Sequence, residues 1–139
     1  MIVKPAYLFD ASSIIRALKE TRLLPLRNQA IQWLTIYEVL NALWKEVNLL
    51  HILEPGEASF LASTFAELLQ TMKILSPQGL EVEILSISIS TRLTVYDASY
   101  IALAKKHELT LVTEDKKLRD IASRFVNTIS LDDIQLESH

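Results

Sequence analysis

Short apolar runs of strand length alternate with amphipathic stretches of helical period along this chain, and that alternation constrains its fold more than any other feature. Tyr7-Leu8-Phe9 ends at an acid and reads as a buried strand. Asp10-Ala11-Ser12-Ser13 then offers side-chain caps to a helix through Ile14, Ile15, Ala17 and Leu18. A polar connection with Pro25 and Asn28 leads to a brief second strand at Gln29-Ala30-Ile31. Thr35-Ile36-Tyr37-Glu38 has the spacing of a capping box, so a helix is expected from Ile36, and Val39, Leu40, Leu43, Trp44 and Val47 carry it to about Leu50. Pro55 suits a first helical position, and Phe60, Leu61, Phe65, Leu68 and Leu69 hold the period in a stretch running to Leu75. After a turn at Pro77-Gln78-Gly79, Val82, Ile84 and Leu85 read as a strand and Ser86 to Arg92 as a polar helical stretch. Asp97 opens a helix that ends near His107, with Ile101, Ala102 and Ala104 facing inward. Leu109 to Val112 is a strand, Asp115 begins a helix through Leu118, Ile121 and Ala122, and Phe125 to Ile129 is a last short strand before an acidic tail.

Strands separated by helices give an α/β fold: a single three-layer α/β/α domain over residues 1–139, with a central, mostly parallel sheet covered on both faces. With 139 residues, half of them hydrophobic and 22% charged, the chain has material for one ordinary core, and it shows no repeat or linker. Its 2 glycines exclude both the G-x-G-x-x-G dinucleotide loop and the Walker A loop, the two commonest functional devices of this architecture. The absence of cysteine excludes disulfides, thiolate metal sites and a cysteine nucleophile. Charge breaks every apolar stretch before the ~18 residues of a membrane span, and the first residues lack the apolar centre of a signal peptide. The expectation is a soluble cytoplasmic protein with no membrane contact.

In open parallel sheets ligands bind beyond the carboxyl ends of the strands. Asp10 ends the first strand and Asp115 follows the Leu109–Val112 strand, so both project to one edge. Glu38 and Asp97 each fall in an expected first helical turn, and helices returning along the sheet bring those turns to the same edge. Gathered carboxylates repel one another unless protons or a cation compensate. A hard divalent cation with oxygen ligands is the natural compensator; beside a phosphodiester it polarises the phosphoryl oxygen and lowers the pKa of bound water. Ser12 and Thr113 are candidate supporting hydroxyls, and Asn41 lies one turn beyond Glu38. Each acid also has an ordinary structural use. Asp10 and Asp115 suit helix caps, Glu38 suits the partner of Thr35, and Asp97 suits a first turn favoured by the helix dipole. Joint placement at one edge is what points to chemistry.

The net charge of −3, from 14 basic and 17 acidic residues, argues against a dedicated nucleic-acid coat protein. Setting those four acids aside leaves the rest near neutral, with basic clusters at Arg16, Lys19 and Arg22, at Lys105-Lys106-His107, and at Lys116-Lys117 with Arg119. Such clusters are ordinarily solvated helix faces. His51, His107 and His139 have no motif context, so Ser12 and Ser13 lack a triad partner.

Four blocks, Leu8 to Ser12, Leu34 to Leu43, Tyr96 to Ala104 and Leu111 to Leu118, resemble the PIN-domain family, most closely the small VapC-like toxins of bacterial and archaeal toxin–antitoxin pairs. The resemblance spans almost the whole chain, although His51 to Gly79 carries only amphipathic helices. It implies a Mg²⁺- or Mn²⁺-dependent endoribonuclease with Asp10, Glu38, Asp97 and Asp115 as its acidic quartet. Asp10 and Asp97 would hold the metal directly, Glu38 and Asp115 partly through water. The family's T-x-D pattern selects Asp115 over Glu114. The resemblance further implies an RNA substrate, a homodimer and a cognate antitoxin whose helix occupies a groove near the site. The apolar helices around Trp33, Trp44 and Phe60 could supply such surfaces, with core packing the expectation for most of them. Other readings are a non-catalytic PIN module binding RNA or protein, and a housekeeping RNA-processing nuclease; an intact quartet weighs against the module. A dehalogenase-type phosphotransferase wants a second acid two residues after Asp10, where Ser12 stands. A receiver domain wants its acceptor Asp on a middle strand.

Overall fold

The computed structural model describes residues 4–134; His139 and the rest of the last five residues lie outside the described residues. The first strand, β1 (Tyr7–Phe9), runs into α1 (Ala11–Lys19), whose N-cap is Asp10. A 3-10 turn with Pro25 at its start leads to β2 (Ala30–Gln32), α2 (Trp33–Asn48) and α3 (Pro55–Leu69). Then come β3 (Lys73–Leu75), α4 (Glu81–Thr91), α5 (Val95–Lys106), β4 (Thr110–Val112), α6 (Lys116–Ala122) and β5 (Thr128–Ile129).

The sheet has the order β3-β2-β1-β4-β5, with every pair parallel. Leu8 pairs with Leu111, and Phe9 with Val112, so the two central strands present matched side chains to each face. Leu8, Ala30 and Leu111 pack with buried residues of α4, α5 and α6, while Phe9, Ile31 and Val112 pack with α1, α2 and α3. That alternation is the period of two expected of strands covered on both sides. The chain winds outward from β1 through β2 to β3 and then returns to lay β4 on the other side of β1. The topological switch point is therefore the gap between β1 and β4, the place where open α/β sheets bind ligands.

Four expectations are corrected. Val82, Ile84 and Leu85 are not a strand: the whole segment is α4, with Ile84 and Ile87 buried one turn apart against α5 and Val82, Leu85 and Ile89 exposed. β-branched composition favours strand locally, and packing on a neighbouring helix overrides it. The helical stretch expected to reach Leu75 ends at Leu69 and gives way to β3, whose three residues are too few to show a period. α2 begins at Trp33 rather than Ile36, which puts Glu38 in its second turn. Thr35 consequently does not cap Glu38; its hydroxyl reaches back to accept from the Gln32 amide at 3.2 Å. Finally, Trp33, Trp44 and Phe60 are not core residues, being 54%, 49% and 70% exposed.

Candidate active site

Asp10 sits at the carboxyl end of β1 and is buried, its amide fixed to the Val112 carbonyl of β4 at 3.1 Å. Its Oδ1 accepts from the Ser13 amide at 3.0 Å, the α1 cap, and from the Ser12 hydroxyl at 2.7 Å. Its Oδ2 accepts from the Thr113 hydroxyl. Thr113 is fully buried just after β4 and also accepts from the Asp115 amide at 3.1 Å, while Ser12 accepts from the Glu114 amide at 3.0 Å. The two turns that flank the switch point are thus tied together through the oxygens of one carboxylate. Burial raises the Asp10 pKa, and the donated hydrogen bonds from Thr113, Ser13 and Ser12 oppose that rise by stabilising the anion.

Asp115 caps α6, accepting from the Leu118 amide at 3.1 Å, and stands exposed at the mouth of the same edge. Its neighbour Glu114 faces elsewhere: it pairs with Arg16 and accepts from the Leu131 amide at 2.7 Å. The basic cluster on α1 and just beyond its end is neutralised in this way. Arg16 and Arg22 share Asp132 and Glu20, and Lys19 pairs with Glu46.

Asp97 lies at the third position of α5, where Thr94 supplies the cap. Among the described residues no hydrogen-bond donor reaches its carboxylate. Burial raises its pKa first, then the charges of Asp115 and Asp10, with Lys117 pulling the other way. Glu38 is half-buried on the α2 face that looks toward α5, and its Oε1 accepts from the Tyr100 hydroxyl at 2.6 Å. Burial again raises its pKa, reinforced by Asp10 and Asp97 and opposed by the Tyr100 donation. Asn41 is exposed beside Glu38 along a groove of about 520 Å³ between α1 and α2.

The four acids therefore gather at one edge, where Asp10 lies close enough to raise the proton affinity of both Glu38 and Asp97. Among the described residues no three acids or imidazoles close tightly enough around a point to hold an ion by themselves. An all-oxygen donor set with uncompensated like charges fits a hard divalent cation that keeps several waters and takes only one or two carboxylates directly. Two side chains that the sequence did not assign to the site are part of the arrangement: Tyr100, 1% exposed, and Thr35, read only as a helix cap and fully buried. For Tyr100 the signal was a phenol inside a mostly apolar helical run, since a buried tyrosine hydroxyl requires a partner.

The family model described as "PIN domain" matches residues 7–124 of this chain. The relative named Exonuclease VapC9, from Pyrobaculum aerophilum, is 36% identical over 116 residues, covering 81% of this chain and 82% of its own. Ribonuclease VapC3 of the same organism is 33% identical over 87 residues, 63% of this chain and 66% of its own. The crystal structure of PAE2754 from Pyrobaculum aerophilum superposes with a TM-score of 0.77 at 33% identity, covering 93% of this chain and 85% of that one.

Proposed function

The chain belongs to the PIN-domain family, and on that premise we propose that it is a divalent-metal-dependent endoribonuclease, the toxin of a VapBC-type pair. The observation that carries the reading is the set of acids at the switch point, where Asp10 and Asp97 raise the pKa of Glu38, and Asp115 and Asp10 raise that of Asp97, with Lys117 the basic neighbour that counters Asp97. Paired helix caps alone would not bring Glu38 and Asp97 there. The nuclease names of the two Pyrobaculum relatives support the same reaction class.

Asp10 and Asp97 would hold Mg²⁺ or Mn²⁺ directly, Glu38 and Asp115 partly through water. When bound, the cation would compensate the acids, polarise a phosphoryl oxygen and lower the pKa of its water. The chain's own contribution is orientation. Ser12, the Ser13 amide and Thr113 hold Asp10 from three directions. Tyr100 holds Glu38, whereas among the described residues no donor reaches the Asp97 carboxylate. Lys117 supplies a positive charge near Asp97 for an RNA phosphate.

One relative is named an exonuclease, so the endonucleolytic part needs its own test, and a circular RNA provides it because a circle has no end to attack. The purified chain is expected to linearise the circle with Mg²⁺ or Mn²⁺ and to be silent in EDTA. Cutting of linear RNA alone would make it an exonuclease. Saturable binding without cutting of either would favour the non-catalytic module.

Two apolar faces support the partners. On α4, Val82, Leu85 and Ile89 are exposed at helical spacing beside Val95 and Tyr96 of α5. This face suits a homodimer. Trp33, Tyr37, Leu40 and Trp44 form an exposed stripe on α2, the helix that also walls the groove beside Glu38, which suits an antitoxin helix. Sedimentation of the purified chain at micromolar concentration is expected to show a dimer that Ile89→Glu dissociates. A wild-type monomer would overturn the assignment of the α4 face.

A further inference from the structure

Tyr100 lies in the middle of α5, where every residue from Ala98 to Ala104 is buried, so its hydroxyl can be satisfied only by the protein. Two oxygens meet it: Glu38 Oε1 at 2.6 Å and Thr35 Oγ1 at 2.8 Å. A carboxylate can only accept, so the single phenolic proton points to Glu38. The Thr35 hydroxyl must then donate to Tyr100 Oη, while its own oxygen accepts from the Gln32 amide at 3.2 Å. Every donor in the series points one way, from the main chain at the β2–α2 junction, through Thr35 and Tyr100, to Glu38. A second tie keeps the two helix starts in place: Gln32 Nε2 donates to the Ser99 hydroxyl at 2.8 Å, and Ser99 donates to the Tyr96 carbonyl at 2.6 Å.

We infer that Tyr100 and Thr35 are positioning residues, a one-way hydrogen-bond chain that sets the carboxylate of Glu38 from within the fold. The geometry involves only the chain's own atoms; its kinetic consequence alone rests on the nuclease reading. Aligned donors polarise one another, so the last bond, onto Glu38, gains from those behind it. Three of the four acids thus have different anchors. Asp10 is held across the β1–β4 gap, Asp115 by its own helix, and Glu38 through α5, the same helix that carries Asp97.

The decisive measurement is proton NMR of the metal-free wild-type chain. A slowly exchanging, low-field hydroxyl resonance of Tyr100 is expected, moving upfield in Glu38→Gln and persisting in Thr35→Val. Its absence, or its indifference to Glu38, would overturn the inference. For the loaded protein, Tyr100→Phe keeps the ring and removes only the donor. It is expected to lower kcat and Mn²⁺ affinity by about 10- to 100-fold, the range for loss of such a supporting partner, with KM for RNA near wild type. Thr35→Val is expected to give a smaller loss that Thr35→Ser restores. Because Tyr100 acts through Glu38, adding Tyr100→Phe to Glu38→Gln should cost nothing further. Additive losses would mark Tyr100 as merely structural and overturn the inference. An intact hydroxyl signal in a chain that neither cuts RNA nor binds Mn²⁺ would uphold the hydrogen-bond chain and reject the nuclease reading instead.

Discussion

Replacing Asp97 with asparagine is expected to abolish RNA cleavage, by more than the roughly 100-fold that loss of a supporting partner costs, while the melting temperature stays level or rises. The two effects have one origin. Asp97 caps nothing, since Thr94 fills that role, and no protein donor among the described residues reaches its carboxylate. What it has around it is burial and the charges of Asp115 and Asp10, which hold its pKa above the ordinary 3.8. A carboxyl whose folded pKa is raised binds its proton more tightly in the native state than in the unfolded one. Its contribution to stability is therefore fully favourable only at low pH. It declines as the pH climbs from the ordinary value through the raised one, and at neutral pH the ionised group is a net cost. Asparagine removes that cost along with the chemistry. Calorimetry across this range should show the variant's advantage shrinking as the wild-type carboxyl becomes protonated. Addition of Mn²⁺ should raise the melt of the wild type more than that of the variant. Retained cleavage would refute the assignment of Asp97, and a melt lowered by several degrees would refute the argument about its charge.

Leu111→Ala should have the largest effect on folding. Leu111 is fully buried in the second of the two central strands, paired with Leu8 and facing α5. Shortening it removes apolar contact and leaves a cavity between sheet and helix, and such changes cost about 2–5 kcal/mol. For a chain of this size that corresponds to a fall in melting temperature of roughly 10 °C or more. The strand itself would survive, because its ladder bonds are main-chain. Leu111→Ile, which conserves volume and suits a strand, is expected to cost less than about 1.5 kcal/mol. A urea titration of the three proteins checks both figures. An alanine variant within 1 kcal/mol of wild type would show that this face can collapse to fill the gap.

The contrast between those two positions reflects what the sequence could and could not express. Asp10 and Asp115 were legible because each lies just past an apolar run and itself caps the helix that follows, Asp10 directly after its strand and Asp115 three residues on. Asp97 was legible as an early residue of α5, although its helix begins two residues sooner. Glu38 was assigned to the edge through an expected helix start at Ile36, whereas α2 starts at Trp33. Its T-x-x-E spacing imitated a capping box, while the Thr35 hydroxyl serves Gln32 and Tyr100. Strand order left no trace in the sequence, since nothing local says that β4 returns to lie beside β1 rather than beyond β3. That non-local pairing creates the switch point, and so the site was inferred without the feature that builds it. α4 was misread because its Val and Ile residues satisfy a two-residue period over a short window as well as a helical one. The exposed tryptophans were misjudged because periodicity identifies an apolar face but not what covers it.

The shared duty of Asp10 bears on how such a protein would decay. Asp10 caps α1 and, through Ser12 and Thr113, joins the two turns at the centre of the sheet, so most replacements there would damage the fold together with the site. Among the described residues Asp97 carries no comparable structural task. In a lineage released from selection for cleavage but still needing the folded chain, drift should erase Asp97 early and Asp10 late. Among descendants, the survival of Asp10 would then record the persistence of the fold, and only Asp97 would testify that the enzyme was still in use.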